Sequence, residues 1–214
     1  MKNTHIIFFL FSVIFGCRAQ SPIIDLYGNE DYGNVQNAYY KDINNFHQQY
    51  VGTWLYTNGT TSLKLVFIEK KQILTNYGTK SFYEDYLIGE YQYIENGIEK
   101  VNTLSNLNSN HNNMYDFNLL NVSCIWFPST RPRCGECNTN EKRLRMGLNE
   151  PSRRSIKGLA NSFVLRVFTE GNTQKLKVWF VDESMQGLIF DENDNPSTIT
   201  NFSLPYGEYS LIKQ

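Results

Sequence analysis

The chain has 214 residues, a formal net charge of −1 and an isoelectric point near 6.3. This charge excludes a generally basic protein that attracts nucleic acid, and no nucleic-acid partner is predicted. Aromatic residues make up 14% of the chain, a share that excludes a polar disordered chain and favours β-strands.

The first twenty residues have the pattern of a signal peptide. Lys2 precedes an apolar run over residues 6–15, which is long enough for a signal-peptide core and too short for a bilayer-spanning helix. The sequence therefore predicts a signal peptide over residues 1–20 and an exported mature chain.

The end of this leader allows two forms of export. Cys17 follows Ile14-Phe15-Gly16, which resembles a loose lipidation motif, whereas Cys17 and Ala19 also occupy the small-residue positions of an ordinary cleavage site. The protein is predicted to be secreted, periplasmic or lipid-anchored to the outer membrane at Cys17. Only that anchor would contact the membrane, and a monomer is expected.

The mature chain begins with a polar stretch and a periodic segment. Residues 21–35 are rich in polar residues and glycine, which predicts a flexible N-terminal arm. Over residues 36–50 the apolar side chains recur every three or four positions, which is typical of one face of a short amphipathic helix. The rest of the chain, residues 36–214, is predicted to form a single domain.

Two Asn-Gly pairs predict hairpins in tandem, because this dipeptide suits the positive φ angles of a tight turn. The first hairpin joins strands over residues 53–56 and 62–69 through Asn58-Gly59, and the second joins residues 87–94 and 98–104 through Asn96-Gly97. Leu63, Leu65 and Phe67 alternate with more polar residues and so share one face. The pattern indicates an antiparallel meander.

Further strands bring the total to about eight to ten. They are predicted over residues 114–127, 162–170, 175–182, 187–190 and 206–213. The fold class is therefore mainly β. An antiparallel barrel preceded by a short helix is favoured because closure removes exposed sheet edges, with a sandwich or an open sheet as the alternative.

The segment Val51-Gly52-Thr53-Trp54 after the predicted helix is similar to the first strand of lipocalins and other calycins. In that family the tryptophan of a Gly-x-Trp motif plugs the closed end of the barrel. The resemblance implies a lipocalin-like barrel. The residues then expected inside it or at its closed end are Trp54, Leu63, Leu65, Phe67, Tyr91, Tyr93, Val164, Leu176, Val178 and Phe180.

A second resemblance spans most of the chain. The strings GTWLYTNG, GEYQYIENG, VWFVDE and FSLPYGEYSLIKQ resemble a family of secreted proteins or lipoproteins of unknown function from Bacteroidetes. This resemblance implies export from a bacterial cell and implies no catalytic residue.

A basic segment interrupts the strand pattern at about residues 128–160. Between Arg131 and Lys157 there are eight basic and three acidic residues, a local net charge of +5. A long loop of this kind is predicted to contact an acidic ligand, a lipid headgroup or a polysaccharide, or to be a solvated charged loop. The ligand-binding candidates are Trp54, Tyr91, Tyr93, Arg131, Arg133, Arg143 and Arg145.

Three cysteines of the mature chain lie in or near this segment: Cys124, Cys134 and Cys137. The last two form a CxxC motif in a setting of loop residues, without the strand and helix that accompany a redox-active pair. A structural disulfide is expected instead, stapling the loop to the strand that carries Cys124, although sequence leaves all three pairings open.

No catalytic, metal or cofactor site is predicted. The histidines of the mature chain, His47 and His111, lie in no catalytic or metal-binding motif, and the acidic stretch at residues 191–196 has a proline where a calcium loop needs glycine. We therefore expect a binding module and not an enzyme, one that holds a small apolar or anionic ligand or an envelope component. The alternative is a structural or interaction lipoprotein without a pocket, and a thiol enzyme using the CxxC pair is the third possibility.

Overall fold

A computed structural model describes residues 21–28, 32–184 and 187–214. The described residues form eleven strands. These are β1 (Ile23–Asp25), β2 (Tyr39–Lys41), β3 (Gly52–Asn58), β4 (Thr61–Tyr77), β5 (Lys80–Glu95), β6 (Ile98–Asn102), β7 (Leu119–Ile125), β8 (Arg143–Leu148), β9 (Asn161–Glu170), β10 (Thr173–Asp182) and β11 (Gly207–Lys213). Short 3-10 turns lie at Phe46–Gln49, Leu104–Asn108, Met114–Asp116 and Pro151–Arg153. The predicted signal peptide and Cys17 lie outside the described residues.

Eight of the strands close into an antiparallel barrel. Their order around the barrel is β5-β4-β3-β11-β10-β9-β8-β7, and β7 pairs back with β5. β6 continues the sheet along β5, while β2 and then β1 join the other half of β5 in parallel. The prediction of a mainly β, lipocalin-like barrel is confirmed. Among the residues described, no helix is long and apolar enough to cross a membrane.

Both predicted hairpins are present. Asn96 and Gly97 have φ angles of 52° and 78° and form the turn between β5 and β6, as an Asn-Gly turn requires. The first turn lies one residue later than predicted, because Asn58 still belongs to β3 and only Gly59 has a positive φ, of 59°.

The longest hairpin, β4 and β5, was only partly predicted. These strands have 17 and 16 residues, and their register shifts between Lys70 and Ile73, where Gln72 has a φ of 54°. An extra residue of this kind forms a β-bulge, which interrupts the alternation of side chains and bends the strand. The bulge explains why the apolar pattern of β4 fades after residue 69.

The inside of the barrel is filled by large apolar side chains. Trp54 pairs with Leu65 and Leu65 with Tyr91, and all three are fully buried in one cluster. Nine of the ten residues predicted for the interior or closed end belong to this cluster. The exception is Val164, which packs on the outside with Ile125, Cys134 and Trp179, because its neighbours Phe163 and Leu165 are the inward residues of β9.

Side chains also cover both ends of the barrel. At the end where β3 begins, Tyr50 follows the 3-10 turn, is fully buried in the interior cluster and accepts the indole N–H of Trp54 on its carbonyl at 2.7 Å. At the opposite end, Leu204 of the segment between β10 and β11 is buried in the same cluster, and Phe202 and Tyr206 pack against it.

The helix predicted over residues 36–50 is wrong. Tyr39–Lys41 forms β2, and only Phe46–Gln49 is helical, as a single 3-10 turn. Asn45 is in the left-handed conformation with a φ of 52°, and the Asp42 carboxylate accepts the backbone N–H groups of Phe46 and His47 at 2.8 and 2.7 Å. These two features start the turn at Phe46 and prevent a continuous helix.

Three other expectations differ from the structure. The N-terminal arm contains β1, which pairs with β2. The basic loop is crossed by the barrel strand β8, so the segment is not structureless. Residues 187–190 form no strand and contribute only an isolated bridge at Phe190.

Candidate functional site

The barrel has a seam between β5 and β7. These strands pair only at Ile88 with Leu120 and Gly89 with Leu119. Beyond this point β5 continues with β2 as its neighbour, and a side chain replaces the missing backbone partner, because Asn121 Oδ1 accepts the N–H of Leu87 at 3.0 Å. β7 therefore leaves β5 at this point and β2 takes its place beside β5. The seam continues as a gap between β7 and the N-terminal segment that contains β2.

A cleft of about 260 Å³ opens along this seam. We call it the seam cleft. Its lining includes Leu26 and Tyr32 from the N-terminal segment, Glu84 from β5, Asn121 and Cys124 from β7, and Trp126 just after β7. The volume lies near the lower limit for a small-molecule site, and a mainly apolar wall with a few polar groups is typical of such sites.

The polar floor of the cleft is a buried carboxyl group. Glu84 is 3% exposed, and its Oε2 accepts a hydrogen bond of 2.5 Å from the hydroxyl of Tyr32. Burial disfavours the charged form and raises the pKa of Glu84 to about 7, against the opposing effect of the hydrogen bond from Tyr32. Near neutral pH, Glu84 can therefore donate a hydrogen bond to a ligand in its protonated form or present a negative charge in its ionised form.

The outer wall contains an aromatic ring, and a cation lies over that ring. Trp126 is 43% exposed, whereas the other tryptophans, Trp54 and Trp179, are 0% and 4% exposed. The Lys142 ammonium lies 3.7 Å from the centre of the Trp126 ring, and Lys142 makes no ion pair with any described residue. Lys142 itself lines the neighbouring cavity that contains Tyr27 and Asp42, and its ammonium covers one face of the indole. A ligand stacked on the opposite face would meet this positive charge across the ring.

Tyr27 joins the seam cleft to the end of the barrel. Its hydroxyl accepts a hydrogen bond from the Asn121 side-chain amide at 3.2 Å and lies 2.5 Å from His47 Nε2. Burial raises the pKa of Tyr27 well above its ordinary value, so this hydroxyl keeps its proton.

A polar cluster lies behind Tyr27. We define the buried cluster as Asp42, His47 and Glu69, whose ligand atoms all lie within 4.8 Å of one another. Burial lowers the pKa of His47 to about 4, while the negative charges of Asp42 and Asp85 act in the opposite direction. The imidazole is therefore neutral at physiological pH.

The aromatic candidates from the sequence do not line the seam cleft. Trp54 and Tyr91 are fully buried in the barrel interior, and Tyr93 is 3% exposed there. The Lys213 ammonium lies 5.1 Å from the Trp54 ring centre. Gly52, beside this lysine, has a φ of 121°, which residues with a side chain rarely adopt.

The four arginine candidates are placed in different surroundings. Arg131 and Arg133 are exposed in the loop between β7 and β8. Arg143 is fully buried and donates hydrogen bonds to the carbonyls of Phe127, Thr130 and Pro132, so it holds this loop on the barrel. Arg145 pairs with Glu183 at 2.5 Å. The structure therefore does not gather these arginines into one anion site.

The disulfide joins Cys134 and Cys137, with 5.4 Å between their Cα atoms. The expectation that it would staple the loop to Cys124 is wrong, because Cys124 is a free thiol. Burial raises the pKa of Cys124 to about 12, which makes its reactive thiolate scarce. Cys134 packs against Val164 and Trp179 outside the barrel, so the bridge shapes the loop that covers this face.

Sequence reasoning missed Tyr27, Tyr32, Glu84, Trp126 and Lys142. These residues come from three separate parts of the chain and match no motif. The only local signal was Trp126 itself, an aromatic residue beside the basic segment.

Neither a curated protein nor a solved structure matches the chain. A family model matches all of residues 1–214, and the chain belongs to that family, the family of unknown function DUF6705.

Proposed function

We propose that this protein is an exported, non-catalytic binding module that holds a small ligand in the seam cleft and not in the interior of its barrel. The observation that carries the proposal is the contrast between the two spaces. The barrel interior is filled by its own side chains, whereas the seam cleft offers an exposed indole and a buried carboxyl group. The Lys142 ammonium, which has no ion-pair partner among the described residues, lies over that indole.

The chemistry of the seam cleft defines the class of ligand. Trp126 and Leu26 suit an apolar or aromatic body, and Lys142, which lies over the Trp126 ring beside the cleft, suits an anionic group. Glu84 and Tyr32 offer hydrogen bonds at the floor. A small amphipathic acid with an aromatic or aliphatic body satisfies all of these groups.

Export is part of the proposal. It rests on the leader of residues 1–20 and on the Cys134–Cys137 disulfide, because disulfides persist mainly in oxidising compartments. Secretion and a lipid anchor at Cys17 are two forms of the same proposal, and the intact mass of the mature protein distinguishes them. A bacterial source within Bacteroidetes rests on the resemblance described above.

The absence of catalysis is also proposed. The buried thiol of Cys124 and the packed position of Cys134 support it, because a thiol catalyst needs an accessible thiolate. If alkylation at neutral pH modified Cys124 rapidly in the folded protein, the thiol would be reactive and this part of the proposal would fail.

The experiment uses anilinonaphthalene sulfonate as a probe, since it has an apolar aromatic body and an anionic group. We expect saturable binding with energy transfer from tryptophan. Trp126→Ala should weaken binding by about tenfold or more, because loss of a central aromatic contact costs more than 1 kcal/mol. Lys142→Met should weaken binding and reduce its dependence on salt.

Phe127→Ala is the matched control. Phe127 is a neighbouring aromatic residue, 63% exposed, and does not belong to the lining of the seam cleft. Its removal should leave the affinity unchanged. Equal binding by wild type and Trp126→Ala, or no binding by wild type, would contradict the proposal.

The second candidate is a structural or interaction protein without a small-molecule pocket. The filled barrel interior favours it, since a small barrel packed by its own side chains has no room for a ligand inside. A wild-type protein that binds no probe in the experiment above would support this candidate.

A further inference from the structure

We propose that the buried cluster of Asp42, His47 and Glu69 binds one divalent transition-metal ion. His47 Nδ1 lies 3.9 Å from Asp42 Oδ2 and 3.7 Å from Glu69 Oε1. One imidazole nitrogen and two carboxylate oxygens form a mixed donor set of the kind that Zn²⁺ and related ions accept in proteins.

An unpartnered atom marks the position of the ion. His47 is fully buried, and its Nδ1 has no hydrogen-bond partner among the described residues. The two carboxylates that face it are too distant for a hydrogen bond. If Nδ1 is protonated it lacks an acceptor, and if it is not protonated its lone pair lacks a donor. A cation between the three side chains resolves this, because it accepts the lone pair and both carboxylates.

The distances fit a metal after a small contraction. In a tetrahedral zinc site with bonds of about 2.1 Å, neighbouring ligand atoms are about 3.4 Å apart. The distances from Nδ1 to Glu69 and Asp42, 3.7 and 3.9 Å, exceed this value by about 0.3 and 0.5 Å, and no pair in the buried cluster exceeds 4.8 Å. A shift of the Glu69 side chain, which is 11% exposed, would shorten its distances to Nδ1 and to Asp42. The distance between Nδ1 and Asp42 needs a separate contraction of about 0.5 Å.

Neighbouring groups already hold two of the ligands in position. The Asp42 carboxylate is fixed by the backbone N–H groups of Phe46 and His47. The other ring nitrogen of His47 contacts the Tyr27 hydroxyl at 2.5 Å. A second contact of this kind is typical of metal-bound histidine, because it fixes the tautomer and the orientation of the ring.

The local charge favours a divalent cation. Asp42, Glu69 and Asp85 contribute three carboxylates, whereas Lys71, 3.2 Å from Glu69 Oε2, contributes one ammonium. Asp85 is itself occupied by the Tyr39 hydroxyl and the backbone N–H groups of Asp42 and Gln72. The carboxylates around His47 therefore outnumber the ammonium, which favours a cation at this position.

An open cavity gives access to the buried cluster. It has a volume of about 390 Å³, and of the buried cluster Asp42 is in its lining, together with Asp25, Tyr27 and Lys142 among others. An ion can therefore reach Asp42 from outside without opening the barrel, and a water from this cavity can fill the remaining coordination position.

The test is calorimetric titration of the untagged, chelator-treated full chain with Zn²⁺. We expect one ion per chain and a higher melting temperature with Zn²⁺, since an ion bound only to the folded state stabilises it. Glu69→Gln should weaken binding by about tenfold or more. Loss of a residue that hydrogen-bonds to a metal ligand already lowers metal affinity by about tenfold or more, and loss of a ligand should cost at least as much. With Co²⁺ we expect the visible absorption bands of a metal site of low coordination number. Excess Ca²⁺ should not remove these bands, because an imidazole ligand favours transition metals over Ca²⁺.

His111→Gln is the matched control, because His111 also lies near a carboxylate, with Nδ1 3.8 Å from Asp116, but outside the buried cluster. It should bind Zn²⁺ like wild type. His47→Gln should abolish binding, and near-ultraviolet circular dichroism checks its fold. Glu69→Gln provides the test if His47→Gln does not fold. No Zn²⁺ binding by wild type, equal binding by Glu69→Gln, or displacement of Co²⁺ by Ca²⁺ would each overturn the proposal.

Discussion

Replacement of Glu84 by Gln tests whether the floor of the seam cleft is a buried carboxyl group that titrates near neutral pH. Burial raises its pKa from 4.5 to about 7. In the folded state Glu84 therefore binds a proton more tightly than in the unfolded chain, and the protein should lose stability as the pH rises from about 4.5 to 7. The amide group of the Glu84→Gln variant does not titrate, but its oxygen can still accept the Tyr32 hydroxyl.

The size of the effect follows from linkage. One pKa unit corresponds to about 1.4 kcal/mol, so the full shift corresponds to roughly 3 kcal/mol. Most of this loss falls between pH 5 and pH 8. The stability of Glu84→Gln relative to wild type should therefore rise by about 2 to 3 kcal/mol across this interval.

Urea unfolding of both proteins at pH 5, 6, 7 and 8 measures this difference. Other titrating groups cancel, because both proteins share them. Glu192→Gln, at an exposed carboxylate, is the control and should stay parallel to wild type within about 0.5 kcal/mol. A Glu84→Gln curve that is also parallel to wild type would refute the reasoning, because Glu84 would then titrate as in the unfolded chain.

Two further predictions concern stability. Gly89→Ala should destabilise the barrel by about 1 to 3 kcal/mol, since the new Cβ would lie 2.5 Å from Phe67 Cδ1 and 2.8 Å from the Val66 carbonyl. Gly147→Ala is the control and should not destabilise the barrel, because the nearest atom to its new Cβ is 3.7 Å away. Equal urea midpoints for the two variants would contradict this prediction. The double change Cys134→Ser, Cys137→Ser should lower the free energy of unfolding by about 2 kcal/mol, the chain-entropy value for so short a loop. Unfolding midpoints that match those of fully oxidised wild type would show that the disulfide does not stabilise the fold.

The barrel could be predicted because its strands carry local patterns. Leu63, Leu65 and Phe67 alternate along β4 as predicted, and all three lie in the interior. Asn96-Gly97 fixed the second hairpin through two positive φ angles. These signals depend on neighbouring residues only, so a single sequence is enough to reveal them.

Strand β8 was missed although it has the same alternation. Leu144, Met146 and Leu148 face the interior, but Arg143 and Arg145 between them gave the segment the composition of a charged loop. Arg143 is buried beneath the loop whose carbonyls it binds. An arginine satisfied by backbone carbonyls is compatible with a barrel strand, and composition alone does not show this.

The helix over residues 36–50 failed for a different reason. The spacing of its apolar residues fits a helix, but Tyr39–Lys41 gains sheet hydrogen bonds beside β5 and Asn45 adopts a left-handed conformation. Tertiary pairing thus prevailed over local periodicity.

The sites themselves depend on contacts between distant residues. Glu84 meets Tyr32 across 52 positions of the chain, and Glu69 joins Asp42 and His47 only because β4 reaches the end of the barrel beside the 3-10 turn. No spacing rule links such residues. The prediction of ligand contacts at Trp54, Tyr91 and Tyr93 followed the barrel analogy, and the structure places all three in the packed interior.

A crystal structure of the protein with anilinonaphthalene sulfonate would test most directly whether binding occurs in the seam cleft and not in the barrel interior. We predict density for the probe in the seam cleft, with its rings against Trp126 and its sulfonate next to the Lys142 ammonium. Density inside the barrel beside Tyr91, or a seam cleft that stays empty while the probe binds elsewhere, would contradict the account.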